Sequence, residues 1–193
     1  MTTLHLDDFT ACGAHQEGHF LLSSGLHSGD YMQCALYLAQ PRRAETAGSL
    51  LASALEVSGL VPDVVVGPAM GGLIIGHEVA RALDCPFIFT ERGDGRMTLR
   101  RGFGLAEGQT VVIIEDVVTT GKSTREVIEV LSQHGGRVIG VGSIVNRTKK
   151  PLPFDHTPYR ALLAVDFPTW QPEDCPRCAE GTPIAKPGSR PVG

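Results

Sequence analysis

Short apolar runs alternate along this chain with longer stretches whose apolar residues recur at helical spacing. Residues 64–66 are three valines in a row, and residues 111–114 read Val-Val-Ile-Ile. Brief β-branched runs bounded by polar residues predict strands buried on both faces. Between them, residues 42–57 place Ala47, Leu50, Leu51, Ala54 and Leu55 on one side of a helix, with Pro41 suited to its first turn and Gly59 to its stop. Further helices are predicted over residues 73–83 and from near Ser123 to about His134, where Val127, Ile128 and Leu131 share a face. Residues 86–90, 138–145 and 161–165 supply the remaining strands. The chain opens with a short helix within residues 4–14, then a strand, a Gly-containing turn and a second strand over residues 18–34. From Pro168 onward Pro and Gly are frequent, so an irregular tail is expected. Strands alternating with helices predict an α/β fold, a parallel sheet of about five strands with helices on both faces and right-handed crossovers.

Composition narrows the classes of function. A chain of 193 residues, 42% apolar and 20% charged, suits one globular domain with a substantial core. Its formal charge of −4 gives no overall basic field, which argues against a nucleic-acid partner. No apolar run approaches the ~20 residues that span a bilayer, so no membrane partner is expected. The first eight residues lack the basic start and apolar stretch of a signal peptide, and a cytoplasmic location follows by default. Five cysteines at irregular spacing do not suggest a disulfide framework; Cys12, Cys34 and Cys85 read as small buried hydrophobes.

The densest chemistry lies in residues 110–124, T-V-V-I-I-E-D-V-V-T-T-G-K-S-T. A strand, an acidic pair, a hydroxyl-and-glycine loop and a helix follow one another. A loop opening into a helix N-terminus presents unpaired N–H groups to a phosphate. Glu115 and Asp116 would repel that phosphate, so they suit a different partner, the hydroxyls of a sugar. Together these groups fit a ribose 5-phosphate. Two rival readings carry less. Gly121-Lys122-Ser123 matches the end of a nucleoside-triphosphate loop, but the first glycine of that pattern falls on Asp116. An ordinary capped strand-to-helix turn would leave both acids merely solvated.

Two further loops stand out. Residues 67–72, G-P-A-M-G-G, join a strand to a helix and let backbone come close to a ligand. Residues 90–104, T-E-R-G-D-G-R-M-T-L-R-R-G-F-G, show no clear helix or strand period and hold Arg92, Arg96, Arg100 and Arg101. Loops of this length are binding loops, lids or disordered segments. Guanidinium groups suit pyrophosphate because they stay charged and bind two oxygens at once.

The E-D-V-V-T-T-G-K-S segment resembles the phosphoribosyl pyrophosphate (PRPP) motif of the type I phosphoribosyltransferases. Residues G-H-F-L-L-S-S-G-L-H-S-G-D-Y, then G-P-A-M-G-G, then E-R-G-D-G-R-M-T-L-R-R-G-F, occur in an order similar to that of the orotate phosphoribosyltransferase family, and the C-P-R-C tail resembles one bacterial branch of it. The resemblance implies a parallel-sheet core with a small N-terminal hood (residues 1–40), a mobile loop (90–104) and an irregular tail (168–193) within a single domain, residues 1–193. It implies transfer of the phosphoribosyl group from PRPP to orotate, giving orotidine 5′-monophosphate and pyrophosphate in pyrimidine biosynthesis, with Mg²⁺ and a homodimer. PRPP would be held by Glu115, Asp116, Val117, Val118, Thr119, Thr120, Gly121, Lys122 and Ser123, and its pyrophosphate by Ala69, Met70, Gly71 and Gly72. Orotate would meet Thr119 and Arg147. Arg92, Arg100, Arg101 and Asp116 are the catalytic candidates. A phosphoribosyltransferase for another base, or a silent PRPP-binding regulator, are the alternatives.

The chain also departs from the family pattern. Lysines used by relatives in the mobile loop, the N-terminal part and the pyrophosphate loop are replaced by arginines, Ser23 and Gly71. Glu115 replaces a frequent Asp, and Asn146 precedes Arg147 where Asp is frequent. No metal ligand is assigned. Cys175-x-x-Cys178 supplies two ligands where structural zinc takes four, with His156 or a partner subunit as conceivable additions; reduced cysteines packing the tail are the default. His19 and His27 read as structural or hydrogen-bonded, with a base-binding role implied only by their place in the hood.

Overall fold

The structure is a computed structural model that describes residues 3–22, 24–148, 154 and 156–187. Its main sheet is built by β3 (Val64–Pro68), β4 (Phe87–Gly93), β5 (Arg96–Leu99), β6 (Thr110–Val118), β7 (Arg137–Asn146) and β8 (Tyr159–Ala164), in the order β5-β4-β3-β6-β7-β8. Five strands run parallel, as expected; β5 is antiparallel to β4. Val111, Val112, Ile113 and Ile114 of the central β6 are fully buried. Each contributes on the order of 1.5–3 kcal/mol by leaving water, which is why this run forms the sheet's axis.

Helices cover both faces. On one side α3 (Pro41–Val57) and α4 (Gly72–Ala82) pack through Leu51, Leu55, Ile75 and Val79. They approach closely because Gly48 has no side chain: a Cβ there would lie 2.5 Å from Cβ of Glu78. On the other side α5 (Lys122–Gln133) seats Val127 and Leu131 against Val111, Ile113 and Val141.

The N-terminal part adds α1 (Leu6–Thr10), β1 (His15–Leu21), β2 (His27–Met32) and α2 (Cys34–Leu38). The strand pair expected within residues 18–34 is present but begins earlier, and α2 has no counterpart among the predicted elements. The tail contributes β9 (Thr169–Trp170), which joins β2, and a short α6 (Pro176–Ala179). The tail is therefore less irregular than its Pro and Gly content suggests, because its backbone bonds are satisfied by the hood.

Residues 90–104 also differ from expectation. They are not a structureless loop: β4 and β5 form a hairpin in which Gly93 pairs with Arg96. Asp94 and Gly95 between them have φ of 50° and 79°. A two-residue turn with both φ positive matches the twist of antiparallel strands, and Asp-Gly is a favoured pair for it.

Candidate active site

The carboxyl ends of β3 and β6, which are adjacent parallel strands, open into one cavity of about 250 Å³. Ligands in parallel α/β sheets sit at such strand ends. Ala69 and Gly71 line the cavity on one side, and Glu115 to Thr124 on the other. Arg92 and Met97 from the hairpin close a third side.

The glycines of residues 67–72 are required by proximity rather than by unusual dihedrals. None of the three has a positive φ. A Cβ on Gly67 would lie 2.4 Å from the Gly72 carbonyl oxygen, and one on Gly72 would lie 2.6 Å from that of Ile114. At Gly71 it would lie 2.4 Å from Oδ1 of Asp116. The loop thus rests directly on the acidic end of β6. This contact explains the departure at Gly71, since any side chain here would displace Asp116.

Glu115 and Asp116 lie within β6, followed by Val117 and Val118, and are not a pair following the strand. Burial, with the Asp116 carboxylate beside it, pushes Glu115 up to about 8, and a hydrogen bond donated by the Thr124 hydroxyl at 3.3 Å pulls the other way. Burial also raises Asp116, against the Val117 N–H that donates to its Oδ1 at 2.8 Å. Neither acid forms an ion pair among the described residues. Two desolvated carboxylates that face a cavity and pair with no cationic side chain among the described residues are poised for hydroxyl donors or a metal ion. As hard oxygen donors they suit Mg²⁺.

The loop between β6 and α5 follows. Gly121 caps α5 in the left-handed region at φ 69°, where a Cβ would also meet the Phe154 ring at 2.7 Å. Only glycine satisfies both constraints. The Lys122 N–H makes a long 3.4 Å contact to the Thr120 hydroxyl. The helix N-terminus therefore faces the cavity with donors to spare.

The expected arginines are separated by the fold. Arg92 lines the cavity and is held there by Glu126 of α5 at 2.5 Å and by the Gly95 carbonyl at 3.0 Å. Arg100 and Arg101 do not line it: both turn to Glu91, at 3.9 and 2.9 Å, and Arg101 also lies over Phe89. Met70 and Gly72 flank the lining residues without being among them. Arg147 lies to one side. Its backbone N–H donates to the Val118 carbonyl at 2.8 Å, one residue beyond Asn146, the partner of Val118 in the β6–β7 register. Its guanidinium sits 5.0 Å over the Phe167 ring and forms no ion pair among the described residues. Burial lowers its pKa while Asp30 and Tyr31 of the hood oppose that. Ser23 lies outside the described residues.

Sequence reasoning missed two features of this region. Met97 reaches the cavity only because the hairpin forms, and the Asp-Gly turn was its available signal. His19 and His27 do not face the cavity but meet Cys175 and Cys178, while His156 does not. No helix among the described residues is long and apolar enough to cross a membrane.

The parallel sheet, the acidic strand end and the two ligand loops define a phosphoribosyltransferase core. The family model for the phosphoribosyl transferase domain matches residues 35–174. Orotate phosphoribosyltransferase from Heliobacterium modesticaldum is 50% identical over 96% of this chain and 96% of its own. That from Carboxydothermus hydrogenoformans is 49% identical over 90% and 91%. The crystal structure of orotate phosphoribosyltransferase from Aeropyrum pernix superposes with a TM-score of 0.67 at 27% identity, over 82% of this chain and 92% of that one. The chain belongs to the orotate phosphoribosyltransferase family.

Proposed function

We propose that this chain transfers the 5-phosphoribosyl group of PRPP to orotate, releasing pyrophosphate. The observation that supports it most is the contact of the Gly71 loop with Asp116 at the edge of the phosphate loop. That arrangement offers one cavity three binding surfaces, for pyrophosphate, a vicinal diol and a 5-phosphate, in the order PRPP presents them.

Departure of pyrophosphate leaves positive charge on the ribose C1, as in other oxocarbenium-like displacements. Little covalent help is needed; orientation and neutralisation of the leaving group carry the rate. Ionised Glu115 and Asp116 accept hydrogen bonds from the ribose hydroxyls. The 119–123 loop holds the 5-phosphate through its amides and hydroxyls. The backbone of Ala69 to Gly72 meets the pyrophosphate, and Arg92 supplies a charge from the hairpin side. Mg²⁺, when bound, would supply charge neutralisation for the leaving pyrophosphate, and Glu115 and Asp116 are the carboxylates that would hold it. Arg147 pairs with the orotate carboxylate beside Thr119, under the hood.

Arg100 and Arg101, turned to Glu91 here, reach a pyrophosphate site either by hairpin movement or in a second copy of the chain. A homodimer fits the latter, and Met70, 81% exposed, with Ile74, 47% exposed, offers apolar surface beside the loop for it to cover. Pyrophosphate release from PRPP and Mg²⁺ is measured with orotate, uracil, adenine and hypoxanthine in turn. Release with orotate alone is expected; release with a purine while orotate is inert overturns the assignment.

A further inference from the structure

Outside the catalytic cavity, four side chains from opposite ends of the chain converge. His19 of β1, His27 of β2, and Cys175 and Cys178 around α6 place one ligand atom each within 4.8 Å of all the others. His19 Nε2 lies 3.0 Å from His27 Nδ1, 3.5 Å from the Cys175 sulfur and 3.6 Å from the Cys178 sulfur. The Cys178 sulfur lies 3.3 Å from His27 Nδ1. In a tetrahedral zinc site, bonds of about 2.3 Å to sulfur and about 2.0–2.1 Å to nitrogen put ligand atoms roughly 3.3–3.8 Å apart. The three nitrogen–sulfur separations, 3.3, 3.5 and 3.6 Å, fall in that range, and the two histidine nitrogens, at 3.0 Å, lie just below it.

A second observation favours a cation over a web of hydrogen bonds. His19 Nδ1 lies 2.8 Å from the Thr182 carbonyl oxygen, which can only accept, so the ring proton sits on Nδ1. Nε2 then has a single lone pair, and three neighbours approach it. One lone pair cannot serve three donors well; one cation at the centre satisfies all four groups. A carbonyl that fixes the tautomer of a ligating histidine is the usual outer support of a metal site.

The backbone is arranged to the same end. The β1–β2 register shifts between Glu17 and Phe20, an irregularity that spans His19 and can re-aim its side chain. Cys175 precedes α6, and its carbonyl accepts from Ala179, so the C-x-x-C turn is closed. Ala185 bonds to both His19 and Leu21, which brings the tail onto β1 while β9 holds it to β2.

We propose that His19, His27, Cys175 and Cys178 bind one structural Zn²⁺, which fastens the C-terminal tail to the hood. Two thiolates and two neutral imidazoles are the donor set zinc takes in closed structural sites, and no ligand position is left for chemistry. Binding releases the two thiol protons to solvent and leaves an electrically neutral centre. The site links residues 159 positions apart in sequence, so its role is to order the tail and β2. It is independent of the proposed reaction.

The test uses the full chain, reduced, loaded with Zn²⁺ and dialysed. Elemental analysis is expected to find one zinc per chain, and Co²⁺ in its place is expected to show tetrahedral visible bands with thiolate charge transfer. A zinc-selective chelator should lower the Tm, and Zn²⁺, not Mg²⁺, should restore it. C178S, at the exposed edge of the cluster, should lose the thiolate-to-cobalt intensity in part and C175S/C178S entirely. Should the double variant fail to fold, C178S and the wild-type cobalt spectrum decide. Zinc content well below one per chain, cobalt spectra without thiolate bands, or a Tm indifferent to chelation overturns the proposal.

Discussion

Glu115 gives the sharpest quantitative prediction. Its side chain is buried, and its residue is only 7% exposed, so solvent screens the neighbouring charge little. In the unfolded chain its proton leaves near 4.5; in the ligand-free fold it is held until about 8. Between those values folding takes up a proton, so stability falls as pH rises, by about 1.4 kcal/mol per unit. Below the lower value both states are protonated and the penalty vanishes; above the higher one it is complete, at roughly 5 kcal/mol. Glu115→Gln removes the titration, keeps the shape, and leaves an oxygen for the Thr124 hydroxyl. Asp116 is common to both proteins. Urea unfolding without PRPP or Mg²⁺ should therefore show the variant gaining on the wild type by about 2–3 kcal/mol between about pH 5.5 and 7.5. A difference that stays constant across that interval would refute the burial argument. The same reasoning gives binding the opposite sign. PRPP needs the ionised acids, so its affinity for the wild type should rise as pH approaches about 8.

Three further substitutions probe the site. Asp116→Asn should cut kcat/KM for PRPP by about 10- to 100-fold, the value of a charge-assisted hydrogen bond or two; unchanged steady-state kinetics would remove the ribose contact. Gly71→Ala, whose Cβ would lie 2.4 Å from Asp116 Oδ1, should weaken PRPP binding by about 10-fold or more while the circular dichroism spectrum stays native. Wild-type PRPP affinity in that variant would show that the loop does not bear on Asp116. Arg147→Ala should raise KM for orotate by about 10- to 100-fold with little change in PRPP affinity, and equal losses for both substrates would assign it to the wrong ligand.

The sequence was most legible where local pattern and tertiary demand agree. The β-branched run at residues 111–114 marks the central strand, because a strand buried on both faces tolerates little else. Glu115 and Asp116 were legible as an acidic pair beside a loop, but not as part of the strand itself. Their polarity breaks the apolar pattern although β7 continues to pair with them. The hairpin over residues 90–99 was hidden for a related reason. Thr90, Glu91, Arg92 and Gly93 form a polar run with no apolar alternation, and the alternation of Arg96 to Leu99 is too short to mark a strand alone, so the Asp-Gly turn was the clearest signal. The histidine–cysteine cluster was beyond local reasoning. C-x-x-C shows two ligands, but only the fold brings His19 and His27 from the other end of the chain. The glycines of residues 67–72 were legible as a place of close backbone approach, while what they approach, the end of β6, lies in tertiary packing.

The most direct test of the account is the stoichiometry of the reaction. Chain, PRPP, Mg²⁺ and orotate are mixed and the products separated and weighed by mass spectrometry. One orotidine 5′-monophosphate and one pyrophosphate should form for each PRPP consumed. Loss of PRPP without incorporation of orotate, or no loss at all, would contradict the assignment of this cavity to phosphoribosyl transfer onto orotate.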